Sequence, residues 1–335
     1  MAVRLKDIAQ ELGVSTVTVS KVLRGLPDIS ERTRAKVLKR MAELNYQPNM
    51  LARGLASGRS FAVGLIVPDL VHPFFGEFAK ALAGKLRASG LALVLASSEE
   101  DPELERQEIR TLINRGVDVL LVASCQPIAE TGFFGEKGPP VLLIDRNVPS
   151  LGGNFVGIND VLAGELATRH LIGLGRRRIA HIGGEGTSPA VDRFAGFCNA
   201  LGVAGIDLPE SYIVKRERFE ETGDSAGYRA MQELLSQKQR PDAVFCYNDL
   251  SAIGAMQAAM QAGLSIPGDI AFVGCGNLRY AEYLKVPLTS IDQGIERMGE
   301  AAAKRALSLS TQPEQTAEST LIEPRLIVRR STVAV

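Results

Sequence analysis

No run of apolar residues in this 335-residue chain is long enough to cross a bilayer. The opening Met-Ala-Val-Arg-Leu-Lys-Asp carries charge where a secretory leader needs an apolar stretch, so a cytoplasmic protein is expected. Cysteine is scarce. The four, Cys125, Cys198, Cys246 and Cys275, lie far apart with no C-x-x-C pair, which speaks against a disulfide framework or thiolate metal site and for buried free thiols. Histidine is scarcer still: His72, His170 and His181 offer no H-x-x-x-H spacing, so no metal is expected. There is no G-x-x-x-x-G-K-[ST] phosphate loop, and the glycines at 183, 184 and 186 lack the third glycine of a dinucleotide fingerprint. No cofactor is expected.

One motif invites an enzymatic reading, Gly223-Asp224-Ser225-Ala226-Gly227, which has the G-x-S-x-G form of a nucleophile elbow. That elbow needs a buried strand running straight into its first glycine, and the preceding Lys215-Arg216-Glu217-Arg218-Phe219-Glu220-Glu221-Thr222 is too charged for one. All three histidines also precede Ser225, against the Ser, Asp, His order of hydrolases. Ser225 reads instead as a helix N-terminal residue, and no catalytic site is expected.

Charge of one sign is missing overall, since 38 basic residues balance 38 acidic ones. Its distribution is uneven. Residues 1–60 hold eleven Lys/Arg against five Asp/Glu, a balance of +6, which leaves −6 on the rest. A basic end on an acidic body points to a polyanion touched at one end only. The length suits about two domains with a sizeable core.

The first 46 residues read as three short helices. Leu5, Ile8, Ala9 and Leu12 repeat at i, i+3, i+4, i+7 and stop at Gly13. Ser15 caps a second helix to about Arg24, and Ser30 a third, whose inner stripe is Val37, Leu38, Met41 and Leu44. Two helices joined by a tight turn form a helix-turn-helix. On the second helix, Thr16, Val17, Ser20, Lys21 and Arg24 share one side while Val19, Val22 and Leu23 face inward. Thr16 and Val17 suit thymine methyls and Lys21 suits guanine O6 or N7, while Ser20, Ser30 and Thr33 can donate to phosphates. Core packing is the competing role for Val17. Residues 47–60, with Pro48, Gly54 and Gly58, read as a linker that folds on DNA.

From Phe61 short apolar strands alternate with amphipathic helices. Strands are expected at 62–68, 92–97, 117–123, 141–145, 179–182, 243–247 and 270–274. Helices are expected at 73–88, 102–114, 161–173, 190–201, 225–236 and 250–262. This is the α/β pattern of parallel sheets covered on both faces, and the length suits two doubly wound lobes.

The strings LKDIAQELGVSTVTVSKVLRG and ISERTRAKVLKRMAELNYQPNMLARGLASGRS, with VGLIVPDLVHPFF, LINRGVDVLLV, PVLLIDR, DRFAGF, FCYNDLSAIGAM, IPGDIAFVG and VPLTSIDQ after them, resemble the lactose-repressor (LacI/GalR) family over nearly the whole chain. The resemblance implies a helix-turn-helix headpiece at 1–46, a hinge at 47–60 and a periplasmic-binding-protein-like effector-binding and dimerisation domain at 61–335. Its N-lobe would span about 61–159 and 290–321, its C-lobe about 160–289 and 322–335. The implied DNA contacts are Ser15, Thr16, Val17, Ser20, Lys21, Arg24, Ser30, Thr33, Asn49, Leu55 and Ala56, with Leu55 wedged into the minor groove of a near-palindromic operator bound by a homodimer. The implied effector contacts are Asp69, Phe74, Asp145, Arg193, Phe219, Asn248, Gly276 and Asn277. Many sugar-binding members carry an aspartate two residues past the IAFVG glycine; this chain has Gly276 there. With Arg146 and Arg193 in the set, a sugar acid becomes a candidate beside a sugar. A transcriptional regulator, most simply a repressor, follows. A two-lobed solute-binding sensor without specific DNA readout is the alternative.

Overall fold

The computed structural model describes residues 3–23, 27–46, 58–126, 138–148, 153–184, 186–215 and 223–333. The chain divides into two compact units, Met1–Ser60 and Phe61–Val335.

The first unit holds helices α1 (Leu5–Leu12), α2 (Thr16–Leu23) and α3 (Glu31–Glu43). Gly13 ends α1 at φ 65°, a left-handed cap whose N–H satisfies late α1 carbonyls. Ser15 Oγ accepts from the Thr18 amide at 3.0 Å, and Ser30 Oγ from the Thr33 amide at 3.3 Å, so both serines cap the helices that follow them. Ile8, Ala9, Val19, Val22, Val37 and Met41 make one small core. Leu38, expected in that stripe, is 49% exposed: it lies one residue past Val37, a turn of about 100° that carries it off the inner face. Arg40 ties α3 to α1 through Glu11 at 2.5 Å.

The second unit contains two six-stranded sheets. The first is ordered β2 (Ala92–Ser97), β1 (Ala62–Val67), β3 (Val119–Val122), β4 (Val141–Ile144), β5 (Asn154–Ile158), β11 (Ser319–Ile322), and every pair is parallel. The second is ordered β7 (Ile213–Lys215), β6 (Ile179–Gly183), β8 (Ala243–Cys246), β9 (Ala271–Cys275), β10 (Thr289–Asp292), β12 (Arg325–Ile327). It is not wholly parallel, since β12 returns antiparallel to β10. The N-lobe boundary expected at 290 falls inside β10, which pairs with β9 and so belongs to the second sheet. The chain passes between the sheets three times, after β5, after β10 and after β11.

Helices α4 (Pro73–Ala88), α5 (Pro102–Asn114), α6 (Asp160–Gly173), α7 (Ser188–Val203), α8 (Gly223–Leu235), α9 (Asp249–Gln261) and α10 (Ile295–Thr311) cover the sheets. Several start on strong signals: Asp101 caps α5 with Pro102 in its first turn, and Asn159 caps α6. Two helix pairs cross backbone to backbone. A Cβ on Gly164 of α6 would lie 2.0 Å from the Arg193 carbonyl, and one on Gly196 of α7 equally close to that of Val161. Gly227 of α8 and Gly254 of α9 repeat the arrangement, at 2.1 Å from Ser251 O and 1.8 Å from Asp224 O. Gly227, the last glycine of the G-x-S-x-G string, therefore serves helix packing.

Candidate functional site

In the first unit the α2 face is open. Ser15, Thr16 and Val17 are exposed, Val17 by 58%, so Val17 is not a core residue, whereas Val19 and Val22 beneath it are buried. Ser20 and Thr33 are half-buried. Lys21 is ion-paired with Asp28, so a carboxylate competes with any base for its ammonium. Ser30 and Thr33 hydroxyls pair at 2.9 Å at the start of α3. Arg24, Asn49, Leu55 and Ala56 lie outside the described residues.

In the second unit a cleft of about 660 Å³ opens between the sheets. Its walls are the residues that follow strand ends: Pro68 and Asp69 after β1, Glu99 and Glu100 after β2, Asp145 and Arg146 after β4, Gly184 after β6, Tyr247 and Asn248 after β8, Gln293 after β10. Open parallel sheets leave their crevice there, because flanking helices diverge from the carboxyl edge. The structure brings Asp69, Phe74, Asp145, Arg193, Asn248 and Gly276 together in this cleft. Asn277 is not among its lining residues; its Oδ1 accepts from Arg329 Nη2 at 2.7 Å and its amide donates to Ser290 Oγ at 2.9 Å, so it is a structural link. Phe219 lies outside the described residues.

Arg193 is 3% exposed. Its Nε donates to Asp160 Oδ1 at 2.7 Å, its Nη1 to the Tyr247 carbonyl at 2.9 Å, and its guanidinium lies 5.1 Å from the Tyr247 ring centre. Burial pulls it down, while Cys275, Asp160, Tyr247 and Asp145 together hold it above the ordinary arginine range. Burial pushes the Asp160 carboxyl up to about 6 against the opposing Arg193. Arg146 forms a fork with Glu100, Nη1 to Oε2 at 2.9 Å and Nη2 to Oε1 at 2.6 Å. Asp145 is 7% exposed and sits at φ 60°; burial raises its carboxyl, and Arg193 and Arg146 pull the other way. Asn248 spends its Oδ1 capping α9 through the Ser251 amide at 2.8 Å, and its Nδ2 lies 3.5 Å from Nε2 of His72 across the cleft. A second cross-cleft contact is the hydrogen bond from the Asn147 amide to Ser188 Oγ, 2.8 Å.

A carboxylate from another strand end stands beside Gly276. Asp249 Oδ2 lies 3.3 Å from the point where a Gly276 Cβ would stand, its carboxylate anchored by Ser290 Oγ at 2.5 Å and the Leu278 amide at 2.8 Å. Burial pushes it up to about 6. Glu100, Asp160, Tyr247 and Gln293 were missed in the sequence, though each closely follows a strand end, the only signal that marks them; His72, also missed, caps α4. Among the described residues, no cluster of three His, Cys, Asp or Glu can hold a metal ion, and no helix is long and apolar enough to cross a membrane. Cys125, Cys246 and Cys275 are buried free thiols and Cys198 is half-buried; desolvation pushes Cys125 and Cys275 up to about 12.

A basic helix-turn-helix unit joined to a two-sheet body with an interlobe cleft defines an effector-controlled DNA-binding regulator. Comparison with known proteins agrees. Residues 4–49 match the family described as bacterial regulatory proteins, lacI family, and residues 168–332 match a periplasmic binding protein-like domain. The transcriptional regulator DegA of Bacillus subtilis (strain 168) is 32% identical over 99% of this chain and 98% of its own. The transcriptional repressor PurR of Erwinia tasmaniensis is 35% identical over 98% and 96%. The lac repressor dimer bound to operator and the anti-inducer ONPF superposes with a TM-score of 0.84 at 26% identity, covering 100% of both chains. The chain belongs to the LacI family of bacterial transcriptional regulators.

Proposed function

We propose that the protein is a cytoplasmic homodimeric repressor whose operator affinity is set by a small molecule seated between the two lobes of its second unit. The observation that carries this is the composition of the cleft. Both lobes supply its walls, and two contacts, Asn147 to Ser188 and His72 to Asn248, span it, so an occupant bears directly on closure. A ligand shifts such an equilibrium only by binding one closure state more tightly. The volume lies within the roughly 300–1,000 Å³ of small-molecule sites. Asp69, Phe74, Asp145, Arg193, Asn248 and Gly276 then contact the ligand, with Phe219 as a further candidate.

On DNA, Thr16, Val17 and Lys21 read bases, Ser20, Ser30 and Thr33 meet phosphates, and Leu55 wedges into the central step. A dimer follows because one headpiece covers too little surface for strong discrimination; the lac repressor superposed above is itself a dimer on its operator. No chemistry is assigned to Ser225, because the glycine that completes its motif packs one helix on another.

The test is selection of sites from a random duplex library, followed by anisotropy titration of the winner against salt. Enrichment of a near-palindrome, with affinity falling steeply as salt rises, is expected. Binding of equal strength to all duplexes would overturn specific readout and leave the solute sensor.

A further inference from the structure

We propose that the effector carries a protonated amine and that this group docks on the Asp145 carboxylate. The inference rests on the cleft being the effector site and names the chemistry that site selects. Asp145 closes β4 in a left-handed backbone conformation, which holds its short side chain at the cleft wall. Its amide is engaged with the Val156 carbonyl at 3.0 Å, but among the described residues no hydrogen bond reaches its carboxylate. Asp145 lines the cleft, so its carboxylate is open to an occupant, and Arg193 and Arg146 act on it without a hydrogen bond.

The two cations nearby do not relieve it by direct contact. Arg193 has committed Nε to Asp160 and Nη1 to the Tyr247 carbonyl, and Arg146 has committed both terminal nitrogens to Glu100. A second acceptor is also unspent. Gln293 is 4% exposed and lines the cleft; its Nε2 reaches Cys275 Sγ at 3.6 Å while its Oε1 has no partner. Among the described residues of the cleft, two guanidinium nitrogens make no hydrogen bond, Arg146 Nε and Arg193 Nη2.

Charge points the same way. The two guanidiniums are matched one for one by Glu100 and Asp160, which leaves Asp69, Glu99, Asp145 and Asp249 on the walls without a described cation bonded to them. A ligand carboxylate or phosphate would enter an acidic space whose cations are already paired. A neutral polyol can donate to Asp145 but brings no charge to offset the surplus of carboxylates. An ammonium supplies both the charge and up to three donors. Gly276 no longer favours an acid, because Asp249 occupies the space beside that glycine.

The test is thermal shift of the full-length protein at neutral pH with frame-matched probes: glucosamine, glucose and glucuronate; galactosamine, galactose and galacturonate; tyramine, 4-ethylphenol and 3-(4-hydroxyphenyl)propionate. A rise in Tm confined to an amine is expected, and Asp145→Asn should weaken that amine at least tenfold without lowering the ligand-free Tm. Asparagine tolerates the left-handed backbone and removes the unmatched charge, so the variant folds. A rise with a neutral or acidic probe alone, no rise with any amine, or an amine response that Asp145→Asn retains would each overturn the proposal. Arg193→Lys, which keeps a cation on Asp160, separates the two levels. A neutral or acidic hit that it abolishes leaves the cleft as effector site and removes only the amine; a hit indifferent to both variants places the ligand elsewhere and removes both.

Discussion

Lys21 is the residue at which DNA affinity and headpiece structure compete. Its pairing with Asp28 is between half-exposed groups, so it contributes little to stability, yet it occupies the ammonium expected to read a base. Asp28→Asn should therefore raise affinity for duplex DNA by roughly two- to fivefold at low salt, with the gain fading as salt screens it, read by anisotropy. An unchanged affinity would mean that Lys21 stays clear of DNA. His181 sits among Phe194, Phe197 and Phe245 with Nδ1 3.0 Å from the Phe245 carbonyl, and burial drives its pKa down to about 4. The unfolded chain protonates this ring near 6.5, the folded one only near 4, so its contribution to stability is full above 6.5 and is lost as pH falls toward 4. Asp160 and Asp249, both raised to about 6 by burial, gain stability over the same fall, so the wild-type curve alone mixes opposite signs. Comparison with His181→Gln isolates the ring: the wild type should lose about 3 kcal/mol relative to the variant between pH 6.5 and 4, by chemical denaturation. Parallel pH curves would show that the fold leaves the ring's pKa where the unfolded chain has it.

At the scale of elements, the reciprocal glycines set where α6 meets α7 and α8 meets α9. Gly196→Ala should cost about 3 kcal/mol or more, because a methyl against the Val161 carbonyl is relieved only by pushing the two helices apart. Gly202→Ala, on the same helix with nothing within 4 Å, should instead stabilise by about 0.5–1 kcal/mol through helix propensity. Equal effects at both positions would deny the crossing its role. The elements themselves were largely legible. Strands with continuous apolar runs, such as Leu65, Ile66 and Val67, and helices with a proline or capping residue at the start, such as Pro73–Ala88, lie within a residue or two of where pattern places them. The strands missed were β5, β7, β10, β11 and β12, which are short, polar-flanked or at sheet edges, and α10, whose Arg305 is buried for its bonds to Asn154 rather than for apolarity. The resemblance named Asp69, Phe74, Asp145, Arg193, Asn248 and Gly276, which the fold places along one cleft. Asn277 misled, since adjacency to Gly276 in sequence is not adjacency in the cleft: its backbone turns at φ 49° and sends the side-chain amide to Arg329. The approach of Asp249 to Gly276 was illegible, because the meeting of two distant strand ends is set by sheet order.

At the scale of the whole molecule, the cross-cleft bond from Asn147 to Ser188 is a small latch between large bodies. Ser188→Ala should broaden closure, seen as a larger radius of gyration of the ligand-free second unit by small-angle scattering, and should shift operator affinity before any ligand is added. A changed radius with unchanged affinity would uncouple closure from DNA. Three passages of the chain between the sheets have a further meaning for how such a regulator diversifies. Neither lobe is a continuous stretch of sequence, so no single recombination event can hand one lobe to another gene while leaving its partner intact. New ligand preferences must then arise by point changes at strand ends, in place, with both halves inherited together. The passages that hinge the body thus also bind its two halves into one hereditary unit.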